Sequence, residues 1–567
     1  MKQADRRPRL GIQGPTVSWL DPWAEEPSAA IMRTGTGSIV PAQDPTPSPR
    51  EFMEAIKELG ADFYVHHAIP GLESHAELLR DAEAHGLDVC LGNEYGNING
   101  PHAEGTNRFD VPDAAVLEAA SSGRLMGLLY DEPEHLQINA SQYRKDGYYP
   151  HWGATDGLTL ERSEQAVADA AAARTAHVRR LLEERGLEAG GATLVTEHVF
   201  PVMFHVYARA GMDLCPKIMK ESFQPLQLST ALGAAKQYGR KLWICADLWG
   251  PDAGPWFTRT SGFPGHSPEE YASALRMGYW MGPSHLFAEN VDALLQYGQG
   301  RWARKGQEQG QSQGQEQGRA FRKTEFGEVW EEFARKYVPE NPLPWGHLDA
   351  EPDIAFIHAD DSNYGQNERL YGNRELTAGE EGASVFHVWQ LLSHGRIPAH
   401  GSCLHIPGYA FPRHKLKADY PPESFPLVSG VPLPEAERVH PLFQPMNNVL
   451  VYDEKVRADR LGRPKLIIVA GTRIAEETLA AVRRCADDGA TVVIASWLVP
   501  EAWRTSGRLG AGFWLATDDF LRDDRVRETL RPFNGSGDCW RQRFGGGEVR
   551  MYPGDSAGFT LEFEIVK

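Results

Sequence analysis

Residues Gly127 to His135 read GLLYDEPEH. An apolar run, Leu128-Leu129-Tyr130, stops at Asp131-Glu132-Pro133-Glu134. A short apolar run closed by proline has the pattern of a buried parallel strand. Proline has no N–H to give the ladder, so the strand ends there. Carboxylates at the end of such a strand are costly to bury without a purpose. In a (β/α)8 barrel that end of the strand is the active-site face. On this pattern Glu132 is a candidate catalytic acid/base. Three acids in a solvated turn would give the same letters, so the flanking chain has to decide.

Seven further runs of the same kind flank it: Arg9 to Trp19, Ala61 to Ala68, Leu87 to Glu94, Ala192 to His198, Met212 to Met219, Lys241 to Asp247 and Ser284 to Asn290. The sixth is the least regular, because Pro216 interrupts it. Stretches with apolar residues at helical spacing lie between them, among them 50–59, 75–85, 161–185, 225–238 and 268–281. Gly86 is a helix stop signal. Eight strand-then-helix units predict a (β/α)8 TIM barrel. Polar residues recur where the runs end: Asn93-Glu94, Asp131-Glu132, Glu197-His198, Asp247 and Glu289-Asn290. That recurrence predicts a polar site where the strand ends converge.

The segment 299–319 is low in complexity, with GQEQGQSQGQEQG at its centre, and predicts a disordered loop or linker. The Pro-rich PENPLPWG at Pro339 to Gly346 marks a boundary. A second alternation follows: a strand at Asp353 to His358, a helix at Ala383 to Leu392, then Lys465 to Ala470, Glu476 to Asp488 and Thr491 to Ala495. It predicts an open, doubly wound α/β domain. The end of the chain, Glu548 to Val566, reads as two or three strands, with Leu561, Phe563 and Ile565 on one face. The expected division is therefore a barrel over 1–345, a doubly wound domain over 346–530 and a small β segment over 531–567.

The net charge of −19 argues against nucleic acid or an anionic membrane as a partner. The first residues, MKQADRRPRLGIQG, lack the apolar core of a signal peptide, and no run of about 18 apolar residues appears. The six cysteines include no C-x-x-C pair and read as reduced thiols. A cytoplasmic protein without cofactor or metal is the expectation.

In this order of domains the chain resembles the family 42 β-galactosidase type of glycoside hydrolase, within the retaining clan of barrel glycosidases. The likeness rests on YDEP at Tyr130 to Pro133, and on PKLIIVAGTR (Pro464 to Arg473) with DDGATVVIA (Asp487 to Ala495) in the second domain. Where the clan has Asn before the strand-four Glu, this chain has Asp131. Where the clan ends strand seven in Glu, it has Asp247. The resemblance implies a second domain like a glutamine amidotransferase, one that builds a homo-oligomer, a dimer or trimer. The stretch around Cys403, HGSCLHIPG, has no nucleophile elbow, so no amidotransferase activity is expected.

Cleaving a glycosidic bond takes two carboxyl groups, one giving a proton to the leaving oxygen and one attacking the anomeric carbon or activating water. The expected roles are acid/base for Glu132 and nucleophile for Asp247, with Glu289 as its rival. Retention is implied by the resemblance alone. His66, His67, Asn93, Glu94, Asp131, Glu197, His198 and Asn290 are candidates for holding sugar hydroxyls. Trp249 and Trp256, in DLWGPDAGPW, are candidates for stacking on a sugar face. Two alternatives use the same barrel. One is a sugar isomerase or epimerase with a divalent metal on Glu94, Glu132, Glu197, His198, Asp247 and Glu289. The other is a carbohydrate-binding barrel without catalysis.

Overall fold

Eight short apolar runs pair side by side and close on themselves. In the computed structural model they are β1 (Arg9–Gln13), β2 (Phe63–His67), β3 (Asp88–Asn93), β4 (Leu125–Asp131), β5 (Thr193–His198), β6 (Asp213–Ile218), β7 (Trp243–Ala246) and β8 (His285–Ala288). All neighbours are parallel, and β8 returns to β1 from Arg9↔His285 to Ile12↔Ala288. The predicted TIM barrel is therefore present. The structure describes residues 6–15, 22–23, 47–68, 73–93, 111–136, 155–187, 193–219, 222–248, 266–289, 291–297, 321–361, 370–373, 375–376, 379–397 and 441–567. The low-complexity segment 299–319 and Cys403 lie outside them.

The helices between the strands begin and end where the sequence signals them. Pro49–Glu58 opens with a Ser48 capping box and a first-turn proline, and Pro268–Trp280 opens the same way at Ser267. Gly86 ends Ala76–His85 in the left-handed region, at φ 63°. Among the described residues no helix is long and apolar enough to cross a membrane.

Strand parity sorts each run into two faces. Residues such as Tyr64, Leu128 and Tyr130 turn outward to the helices, while Phe63, Val65, Leu129, Val195, Trp243 and Phe287 fill the barrel. The floor is aromatic: Trp243 stacks on His285 at 3.9 Å, with Phe63 edge-on to both. Pro216 is accommodated inside β6 because the ladder to β7 lapses beside it. The pairing passes from an isolated bridge, Leu214↔Leu242, to Lys217↔Cys245.

Beyond the barrel, β9 (Leu295–Tyr297) and β10 (Phe321–Lys323) form a two-stranded ribbon. A six-stranded sheet follows, built from β11 (Ile354–Ile357), β13 (Val449–Tyr452), β14 (Leu466–Val469), β15 (Thr491–Ala495), β16 (Gly507–Leu509) and β17 (Gly512–Thr517). Its order, β13-β11-β14-β15-β17-β16, is doubly wound, with only β16 antiparallel. A four-stranded sheet joins β12 (Met446–Asn447), β18 (Trp540–Phe544), β19 (Gly547–Pro553) and β20 (Leu561–Val566). Because β12 comes from position 446, the terminal sheet also draws on chain from within the span 346–530.

The six-stranded sheet is pressed against the barrel. Helix Gln224–Tyr238 is buried on almost every side, since β13 covers its outer face. A Cβ at Gly233 would fall 1.6 Å from the Val451 carbonyl oxygen. Backbone cannot rotate aside as a side chain can. Gly233→Ala is therefore expected to cost about 3 kcal/mol or more, beyond ordinary overpacking. Urea unfolding checks this, and a loss below about 0.5 kcal/mol would mean the two elements are not held so closely. Polar contacts cross the same seam. Asp360, just past β11, accepts from the Val206 N–H at 3.1 Å, and Asp453 accepts from Gln237 and Tyr238. Buried Glu164 meets Arg209, Arg473 and Lys455. Burial raises the pKa of Glu164, but these three cations outweigh it and hold the carboxyl below its ordinary range.

Candidate active site

At the carboxyl end of the barrel, strand parity places Asp131, Glu197, Lys217, Asp247 and Glu289 above the inward layer of Leu129, Val195, Cys215, Cys245 and Phe287. Lys217 is at the centre. Its Nζ lies 3.0 Å from Asp131 Oδ1, 3.2 Å from Glu289 Oε2 and 3.5 Å from Glu132 Oε1. Glu197 Oε1 and Asp247 Oδ2 follow, each at 3.8 Å. Four strands thus bring five carboxyl groups to one ammonium.

Glu132 reaches this centre by an unusual backbone. After Asp131 points inward, parity would turn the next side chain outward. Instead Glu132 adopts φ 51°, in the left-handed region that non-glycine residues seldom occupy. Its N–H donates to the Glu197 carbonyl at 2.8 Å, which holds the turn. Two successive carboxyl groups therefore face the same ammonium. Such a conformation costs of order 1–3 kcal/mol and is typical of functional sites.

One ammonium does not balance five carboxylates, and two of them, Asp131 and Glu197, have raised pKa values. Burial, and then the carboxylates of Glu132, Glu197 and Glu289, raise Asp131 well above its ordinary pKa, although Lys217 opposes them. Asp131 is the nearest carboxyl to Lys217 and is raised all the same, because burial outweighs one close cation. Glu197, wholly buried, is pushed up to about 7, first by burial. Burial pulls the Lys217 pKa down, but Asp131, Glu197, Glu289 and Asp247 outweigh it, and the ammonium is held charged. Cys245 is raised well above its ordinary value, chiefly by burial, so it stays a thiol. Its Sγ donates to Glu289 Oε2 at 3.6 Å.

Glu134 is separate. It is fully buried and accepts from the Val199 and Phe200 N–H groups at 2.6 and 3.1 Å. It pins the chain leaving β5.

Of the expected site residues, Glu132, Asp131, Glu197, Asp247 and Glu289 come together. His66 and His198 do not join them. His66 shares the outer face of β2 with Tyr64, and its ring lies 5.5 Å from that of His75. His198 stacks on Phe204 at 4.2 Å, its ring nitrogens meeting Thr196 Oγ1 and the Val202 carbonyl. Both face the helix layer, so their expected contact with sugar is corrected. The side chains of His67 and Asn93, and all of Glu94, Trp249, Trp256 and Asn290, lie outside the described residues. The residue that the sequence reading missed is Lys217. A signal existed: it shares parity with Cys215 in a strand that is buried throughout, where an ammonium needs partners.

No family model matches the chain, and no curated protein matches it. Among solved structures, an exo-β-1,4-mannosidase from Opitutaceae bacterium strain TAV5 is 12% identical, covering 93% of this chain and 95% of its own, at a TM-score of 0.43. A 3-keto-D-glucoside 4-epimerase from E. coli is 12% identical over 50% of this chain and 92% of its own, at 0.27. A GH5 xyloglucan-specific β-1,4-glucanase from a ruminal metagenomic library is 9% identical over 50% of this chain and 84% of its own, at 0.30. Likenesses this distant carry no weight for activity, which rests on the site itself.

Proposed function

We propose that the chain is a glycoside hydrolase acting by retention, with Glu132 as acid/base and Glu289 as nucleophile. One observation carries the reading. Oxygens of Glu132 and Glu289 lie on the same nitrogen, at 3.5 and 3.2 Å, so they are no more than about 7 Å apart. Retaining enzymes hold their two carboxyl groups at roughly 5–5.5 Å and inverting enzymes at roughly 6.5–9.5 Å, so this ceiling admits the retaining separation and leaves out most of the inverting range.

The division of roles follows from access. The Glu132 side chain is 18% exposed, Glu289 8% and Asp247 1%. An acid/base must exchange its proton with water, which suits Glu132. A nucleophile must reach the anomeric carbon, which suits Glu289, less deeply buried than Asp247. This differs from the order expected from sequence, where Asp247 stood first. In the first step Glu289 attacks the anomeric carbon while Glu132 protonates the departing oxygen. In the second, Glu132 takes a proton from water, which displaces Glu289.

A second reading has one observation in its favour. Glu197, Cys245 and Glu289 each offer a ligand atom, all within 4.8 Å of one another, which would suit a metal-dependent isomerase. Lys217 opposes it, since two of the three already face its ammonium. A panel of aryl glycosides, assayed after exhaustive EDTA treatment, tests both readings. Hydrolysis is expected to persist. Loss that is restored by manganese or magnesium would make the hydrolysis metal-dependent, and no turnover of any glycoside, beside sugar isomerisation that needs manganese, would favour the isomerase.

A further inference from the structure

We infer that Lys217 is the positioning residue of this centre: a built-in cation standing where carboxylate-lined sites otherwise take a divalent metal. As far as it concerns rate, this rests on the hydrolase reading; as far as it concerns charge and metal, it does not. The three carboxyl groups nearest its Nζ are Asp131, Glu289 and Glu132, at 3.0, 3.2 and 3.5 Å, and the ammonium donates to Glu132 Oε1. Lys217 therefore stands between the proposed nucleophile and the proposed acid/base. It projects from a strand, where sheet pairing on both sides fixes its base at Lys217↔Cys245 and, through neighbouring residues, at His198↔Pro216. Its side chain is 2% exposed, so solvent does not screen it.

The ligand set beside it is what a metal would use. Glu197, Cys245 and Glu289 converge within 4.8 Å, and both carboxyl groups also face Nζ. A divalent ion there would meet the fixed charge of Lys217. Removing that charge should free a cavity, lined by oxygen and sulfur, that manganese can enter.

The test uses the full chain as wild type, Lys217→Arg, Lys217→Met and Lys217→Ala, melted with and without manganese. Manganese should bind Lys217→Ala at one ion per chain and raise its midpoint, and should bind Lys217→Met more weakly. Wild type and Lys217→Arg, which keep the charge, should be unmoved. Uncharged variants that bind no manganese, or wild type that binds it as Lys217→Ala does, would overturn the inference. Failure of the hydrolase reading would appear separately, as wild type inert on every glycoside.

Discussion

Glu289→Gln is expected to abolish turnover on every glycoside, whatever its leaving group. The amide is nearly the size of the carboxylate but cannot form the covalent intermediate. Losses on the order of 10⁵-fold or more accompany removal of a covalent nucleophile. Asp247→Asn is the paired measurement. Asp247 is almost wholly buried and 3.8 Å from Lys217, so on the proposed reading it holds the ammonium and does not attack the sugar. Its loss should cost less than that of Glu289 on activated substrates. If Asp247→Asn is dead on activated glycosides while Glu289→Gln still turns them over, the roles are reversed.

Glu132→Gln should behave differently. General acid catalysis contributes about 10²–10⁴-fold, so natural substrates should slow by that much. A dinitrophenyl glycoside leaves without protonation, and its first step should survive. The second step lacks a base, so the glycosyl-enzyme should accumulate. Azide, which needs no base, should restore turnover and give a glycosyl azide. Wild-type rates for Glu132→Gln on a natural substrate would reduce Asp131-Glu132-Pro133 to a strained turn.

Much of the barrel was legible because each strand is a short apolar run with its own stop. Gly86 announced a helix end, while the caps at Ser48-Pro49 and Ser267-Pro268 were not read as starts. In the second sheet, β13 and β17 were missed. VLVY and GFWLAT are short strands of a parallel sheet, and runs largely covered on both faces lack the alternation that marks a half-exposed strand. In the terminal sheet, β19 and β20 answer to the expected Glu548 to Val566, while β18 and β12 were missed; β12 is two residues long and pairs with chain almost a hundred positions later.

The acids of the site were legible as strand ends, but their directions were only partly so. Parity from Glu197 turns His198 outward, and parity from Phe63 and Val65 turns His66 outward; both were available in the sequence. Glu132 breaks parity, and only its left-handed backbone brings it to the centre. Lys217 was hidden by Pro216, which made β6 look broken, although the missing ladder bond falls where β6 and β7 barely pair.

The most direct test of the central claim is to trap the intermediate. Wild-type chain is mixed with a panel of dinitrophenyl 2-deoxy-2-fluoroglycosides, and its intact mass is read before and after peptide mapping. The account predicts one added sugar per chain, on the peptide carrying His285 to Glu289, with the ester on Glu289. A chain that hydrolyses glycosides yet never gains that mass, or gains it on a residue away from Lys217, would contradict it.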